Sequence, residues 1–136
     1  FFLGQQLGES IKETELFQRI DYIIPIPLHP KKEHIRGYNQ SHVIAQGVED
    51  VTEIPIMKDC LYRKVFTSTQ TKKSREERWD NVKDIFDIKN GERLKGQHVL
   101  LIDDVLTTGA TLMAAGKTLS QIPDIKISVA TAACAS

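Results

Sequence analysis

Val99-Leu100-Leu101-Ile102-Asp103-Asp104-Val105-Leu106-Thr107-Thr108-Gly109-Ala110-Thr111-Leu112 is the stretch whose reading decides the fold of this 136-residue chain. Four apolar residues after His98 read as a central parallel strand, buried on both faces and ending at Ile102. Two adjacent carboxylates follow, then a Thr-Thr-Gly-Ala-Thr turn. The spacing of Leu112, Ala115 and Leu119 predicts a helix over Ala110 to Ser120. Ile125 to Ala132 is a second apolar strand. Strand, helix and strand within about 30 residues make a βαβ unit, which calls for a parallel sheet with right-handed crossovers. The expected class is α/β: a mainly parallel central sheet, flanked by helices on both faces, with Val99 to Ile102 near its middle.

In such a sheet the carboxyl ends of the strands and the helix starts after them form the ligand crevice. Main-chain N–H groups at a helix start lack intrahelical partners and the helix dipole is positive there, so the turn suits a phosphate. Gly109 lets the backbone approach closely, Ala110 adds an amide, and Thr107, Thr108 and Thr111 offer hydroxyls to the same oxygens. Asp103 and Asp104 would repel that phosphate. They make sense if the ligand also presents hydroxyls one ribose-length away, each carboxylate accepting from a sugar hydroxyl. The competing reading is that the pair ends the strand and caps the helix, although a cap needs one side chain and not two. Gly116-Lys117-Thr118 imitates the end of a nucleotide-triphosphate loop, but position 111 is Thr where that loop requires Gly. Gly116 falls inside the predicted helix, which makes Lys117 a solvated lysine.

Outward from this stretch, Leu3, Leu7, Ile11 and Glu15 stand at near-helical spacing and predict the end of a helix over about 1–18. Asp21 to Leu28 begins as a buried strand and is stopped by Pro25 and Pro27, which cannot donate to a ladder. Asn39 or Ser41 caps a helix with an inner stripe of Ile44, Val48 and Val51, ending before Pro55. Leu61 to Phe66 and Ile85 to Ile88 read as short strands, with a helical turn or two over Ser74 to Val82 between them. Cys60 and Cys134 read as small core residues, and His42 and His98 as structural. His29 is balanced between a ligand role and a structural one, His34 reads as surface, Arg36 as supporting its loop and Trp79 as packing.

The composition excludes several classes. Hydrophobic residues make up 40% and charged residues 26%, a globular balance that rules out disorder and fibrous structure. No apolar run approaches the roughly 20 residues of a membrane span. Two cysteines without metal-ligand spacing point to a reducing, cytoplasmic compartment. The chain opens on Phe1 with no basic segment before it, which reads as a piece lacking its own N-terminus and not as a signal peptide. Eighteen basic and eighteen acidic residues cancel. Residues 61–95 nevertheless hold ten basic and six acidic residues, and the remainder eight and twelve. The excess is densest from Arg63 to Arg78, around the polar run Thr67 to Thr71. By itself that run reads as a solvated loop. With a phosphate site elsewhere in the chain it reads instead as a mobile cationic flap.

Val99 to Leu112 resembles, over its whole length, the 5-phosphoribosyl-1-diphosphate (PRPP) signature of type I phosphoribosyltransferases. Residues 21–132 resemble the ComF-like competence branch, also described as predicted amidophosphoribosyltransferases. Pro25-Ile26-Pro27-Leu28-His29-Pro30, Arg36-Gly37-Tyr38-Asn39-Gln40-Ser41, and Gln70 to Arg78 with Asn81 and Phe86 carry that likeness. Thr71-Lys72-Lys73-Ser74 departs from it, standing where the family more often has a small and apolar pair. The family's N-terminal zinc-ribbon module has no counterpart here, so zinc is not carried over and one domain over 1–136 is expected.

The resemblance implies roles residue by residue. Asp103 and Asp104 hold the ribose hydroxyls and are the catalytic pair, and Thr107, Thr108, Gly109, Ala110 and Thr111 cradle the 5-phosphate. Leu28, His29, Pro30 and Lys31 (or Lys32) form the diphosphate loop. The Arg63 to Arg78 segment, with Lys72, Lys73, Arg75 and Arg78, is a flexible hood, within a region of about 61–95, that closes over the site. Mg²⁺ is held through the ligand, with no direct protein site. The implied partners are PRPP and an unidentified nitrogen acceptor, with no membrane, no expected direct nucleic-acid contact, and room for a homodimer. The implied activity is phosphoribosyl transfer with release of diphosphate. The alternatives are a non-catalytic PRPP or nucleotide sensor, or an accessory protein of DNA uptake.

Overall fold

The structure, a computed structural model, describes residues 1–28, 38–64, 85–106 and 109–134. Its centre is a three-stranded parallel sheet of β1 (Tyr22–Pro25), β4 (His98–Leu106) and β5 (Lys126–Cys134), with β4 in the middle. Tyr22 pairs with Val99 and Pro25 with Ile102 on one side, and His98 pairs with Lys126 and Leu106 with Cys134 on the other. Ile56 adds a single parallel bridge to Ile23 at the free edge of β1. β2 (Leu61–Arg63) and β3 (Phe86–Ile88) form a separate antiparallel pair. The helices are α1 (Phe2–Lys12), α2 (Gln40–Thr52) and α3 (Ala110–Leu119), with short 3₁₀ turns at Glu15–Arg19 and Gly91–Leu94.

Strand residues alternate between two cores, as the period of a pleated sheet demands. Ile23, Leu100 and Ile102 pack with Ile11 of α1 and with Ile44, Ala45 and Val48 of α2. Ile24, Val99 and Leu101 pack on the opposite face with Leu112, Ala115 and Leu119 of α3 and with Cys60, Leu61 and Phe86 around the β2–β3 pair. Helices therefore cover both faces, and the apolar run sits in the central strand as predicted. Burial of each such Leu, Ile or Val side chain is worth about 1.5–3 kcal/mol. Cys60 is a buried free thiol, as the sequence led us to expect. His98 is also buried; its Nε2 lies 2.7 Å from Ser128 Oγ, and its main-chain N–H donates to Asp21 Oδ2 at 2.8 Å. Its role is structural.

Three expectations need correction. The first helix stops at Lys12, because Thr14 turns extended and its Oγ1–H donates to the Ile11 carbonyl at 2.7 Å. The face of α1 that packs is Gly4, Gly8 and Ile11, while Leu3 is exposed. Leu7 is half-buried against the same core, but Leu3 misleads because at this crossing the backbones themselves make the contact: a Cβ on Gly4 would stand 2.1 Å from the Ile44 carbonyl oxygen, and one on Gly47 would stand 2.4 Å from the Phe1 oxygen. Second, β4 runs through both aspartates to Leu106 instead of ending at Ile102, since β5 continues the ladder beside it. Third, β2 stops at Arg63 and not at Phe66. Leu61, Phe86 and Leu94, in the terminal parts of the 61–95 region, are core residues.

The glycines give a direct test. Gly47→Ala should lower stability by roughly 1–3 kcal/mol through overpacking of α1 against α2. Gly116→Ala, whose Cβ meets nothing within 4 Å, should raise stability by about 0.5–1 kcal/mol through helix propensity. Urea denaturation of the two variants measures both shifts, and equal effects would contradict this packing.

Candidate active site

The ladder between β1 and β4 closes with Ile26 N–H donating to the Ile102 carbonyl at 2.9 Å. Pro25 and Pro27 stop β1 at that point, while β4 continues beside β5. Past Ile102 no strand among the described residues pairs with the β1 side of β4, where Asp103 and Asp104 follow. Asn39 closes the crevice from above. Its side-chain oxygen caps α2 by accepting from Ser41 N–H at 3.1 Å, and its Nδ2–H donates to the Ile26 carbonyl at 3.0 Å. Because Asn39 is the cap, the Ser41 hydroxyl is free to turn toward the strand, where it donates to Asp103 Oδ1 at 3.3 Å.

Asp103 and Asp104 are both half-buried. Asp103 Oδ1 also accepts the Asp104 main-chain N–H at 2.9 Å. Burial pushes the Asp103 carboxyl above the ordinary carboxylate range, the adjacent Asp104 carboxyl adds to that, and the Ser41 hydroxyl pulls the other way. Neither aspartate stands at the N-cap of α3. That position belongs to Gly109, in the left-handed region at φ 80° and ψ 0°. The Gly109 carbonyl accepts Met113 N–H at 2.9 Å. A side chain in that conformation costs roughly 1–2 kcal/mol, so glycine is required by the backbone here. Ala110 and Thr111 open α3 directly after it.

Beside the acid pair lies an open cavity of about 610 Å³, walled by Pro27 and Leu28 after β1, by Asn39 and His42 of α2, and by Arg63 of β2. The aspartates do not line it. The first turn of α2 is the shared wall, facing Asp103 through Ser41 and the cavity through Asn39 and His42. His42, read from sequence as structural, lines this cavity. The signal was available: three residues after the cap, it shares a helix face with Asn39. Of the predicted site, Asp103, Asp104, Gly109, Ala110, Thr111 and Leu28 fall among the described residues. Thr107, Thr108, His29, Pro30, Lys31, Lys32, Lys72, Lys73, Arg75 and Arg78 lie outside them, as do His34, Arg36 and Trp79. Among the described residues no three His, Cys, Asp or Glu side chains gather to hold a metal ion. No helix there is long and apolar enough to cross a membrane.

This geometry places two carboxylates near the end of the middle parallel strand of an α/β sheet and a glycine-started helix after them. A family model for the phosphoribosyl transferase domain matches residues 41–133. Competence protein F of Haemophilus influenzae is 32% identical over 112 residues, covering 82% of this chain and 49% of that protein. Competence protein ComFC of Bacillus subtilis is 36% identical over 97 residues, covering 71% of this chain and 37% of that protein. The solved glutamine PRPP amidotransferase of B. subtilis shares the fold, with a TM-score of 0.64 at 18% identity over 96% of this chain and 26% of that one. The chain belongs to the type I phosphoribosyltransferase family, on its ComF-like branch. It spans half or less of the length of these two curated relatives.

The acid pair has a measurable signature. Folding raises the Asp103 carboxyl above its unfolded value. Its contribution to stability is therefore present while the acid is protonated and is lost as pH rises through the carboxylate range. Asp103→Asn keeps an oxygen for both donors and removes the charge. It should melt above the parent at neutral pH, and the gap should close near about pH 4. A variant that melts below the parent at neutral pH would mean that the ionised carboxylate is a structural prop.

Proposed function

We propose that the protein binds PRPP and transfers its phosphoribosyl group to a nitrogen acceptor, releasing diphosphate. The observation that carries this reading is the continuity of Asp103 and Asp104 with the glycine-started helix. Ribose hydroxyls and a 5-phosphate hang from one sugar in the same order that the carboxylates and the Thr107 to Thr111 turn occupy in the chain. In the reaction, the bond from the anomeric carbon to diphosphate breaks and its electron pair leaves with diphosphate. The acceptor nitrogen supplies the pair for the new C–N bond and loses its proton to solvent.

The sugar becomes oxocarbenium-like on the way, so catalysis rests on positioning, charge and exclusion of water, with no covalent intermediate on the protein. Asp103 and Asp104 would fix the ribose and favour positive charge developing on it. Mg²⁺ would be held through the ligand's own oxygens, in the field of these two carboxylates, and would supply positive charge to offset the departing diphosphate. A second reading, a component of DNA uptake that binds PRPP without turnover, is favoured by the competence names of the relatives.

Isothermal titration with PRPP and Mg²⁺, followed by a screen for diphosphate release over bases and amines, separates these readings. Binding with release supports transfer, and binding without release supports the second. The Asp103→Asn, Asp104→Asn double variant should bind PRPP at least about tenfold more weakly, because charge-assisted bonds to the ribose are lost. It should bind sulfate as well as the parent or better, since two repelling charges are gone. Parallel loss of both ligands would mean that the carboxylates hold the turn together and read no ribose.

A further inference from the structure

β5 is an outer strand of the sheet, with β4 as its one partner among the described residues. Lys126 N–H donates to the Gln97 carbonyl at 2.9 Å, and that bond sets the alternation. The main-chain groups of the even-numbered residues turn to β4, and those of Ile127, Val129, Thr131 and Ala133 turn to the free edge. Such a row of N–H and C=O groups is a template for another strand, and monomeric proteins blunt it with proline, a bulge, charge or a covering element. β5 contains no proline or glycine, keeps one register with β4 throughout, and carries a single charge, Lys126, at its start.

One face of β5 is bare as well. α3 lies over β4 and β3, covering Val99 and Leu101 but not their neighbours on β5. Val129, beside Leu101, is 57% exposed, and Ile127, beside Val99, is half-buried. The strand is also complementary to itself. Two copies related by a two-fold axis present the same edge antiparallel. With the axis at Ala130, Val129 stands opposite the partner's Thr131 and Ile127 opposite the partner's Ala133. All four outward residues then fall in hydrogen-bonded pairs, four pairs of two bonds each, and every main-chain group on the edge is satisfied. An axis one residue away strands an outward residue at the end of the ladder. The two Lys126 charges lie at opposite ends, so no like charges meet. This symmetry singles out a second copy of the chain over a strand of another sequence.

We propose that β5 is the interface of a homodimer, in which two copies pair antiparallel about Ala130 and join their sheets into one. The inference goes beyond the PRPP reading and does not depend on it. Among the described residues that line the cavity none belongs to β5, so assembly and ligand binding are tested separately.

Sedimentation equilibrium over a range of protein concentrations tests it on the parent, Val129→Pro and Val129→Glu. Val129→Pro removes an N–H that faces away from β4, so the ladder within one copy survives, and Val129→Glu puts charge on an exposed position. The parent should be a dimer, and each variant should raise the dissociation constant at least about tenfold while keeping the parent's circular dichroism. Ala130→Cys, made together with Cys134→Ser, locates the axis. Ala130 would meet its own copy in a non-hydrogen-bonded pair with Cα atoms about 4.5 Å apart, within reach of a disulfide. Mild oxidation should link that variant into dimers, and should not link Lys117→Cys, on the exposed side of α3, in the same background. A parent that is monomeric at every concentration would overturn the proposal. So would a dimer that neither Val129 substitution weakens, assembly that continues past the dimer, or cross-linking of Ala130→Cys no faster than that of Lys117→Cys.

Discussion

β4 is hydrogen-bonded along both edges, but unequally, and the site depends on that inequality. β5 follows it to Leu106, while the ladder with β1 closes at Ile102, where Pro25 and Pro27 end the donor series. Up to Ile102 the strand is locked on both sides and its side chains have almost no exposure. From Asp103 onward one edge is held and the other faces the space where β1 has turned away. Two carboxylates are thus rigidly mounted at a crevice, half-buried yet reachable, which an open strand end would not achieve.

The roof of the crevice is set from a distance by helix packing. Gly4, Gly8 and Gly47 let α1 and α2 approach until backbone meets backbone, and α2 in turn lies on Ile23, Leu100 and Ile102. That fixes the first turn of α2, where Asn39 spans from the cap of the helix to the Ile26 carbonyl and Ser41 reaches Asp103. A change at a glycine far from any ligand would move the groups that orient the acid pair, so stability of this corner and geometry of the site are one property.

The electrostatics share this economy. Asp103 and Arg63 are both held in surroundings that disfavour their charged forms, and burial is the main cause for each. Sites built for binding commonly carry such strain in the empty protein, because groups satisfied by each other have little left for a ligand.

The sequence by itself determined the class of fold and the core of the candidate site. The apolar run Val99 to Ile102, the stripe of Leu112, Ala115 and Leu119, and the glycine after the acid pair are local patterns with local causes: strand period, helix period and a left-handed residue before a helix. Cys60, His98 and the position of Gly116 inside a helix were legible for the same reason. Tertiary structure decided what depends on neighbours remote in the chain. Leu3 matches a helical stripe yet is exposed, and the close contact with α2 runs through glycines, because a close crossing rewards absent side chains and hydrophobic spacing cannot register an absence. Asp103 lies inside a strand because of β5, Ser41 serves Asp103 across 62 residues, and Arg63 is tied to Pro27 across 36. No window along the chain contains those pairs; only the parallel crossover and the close packing of α1 on α2 bring them together.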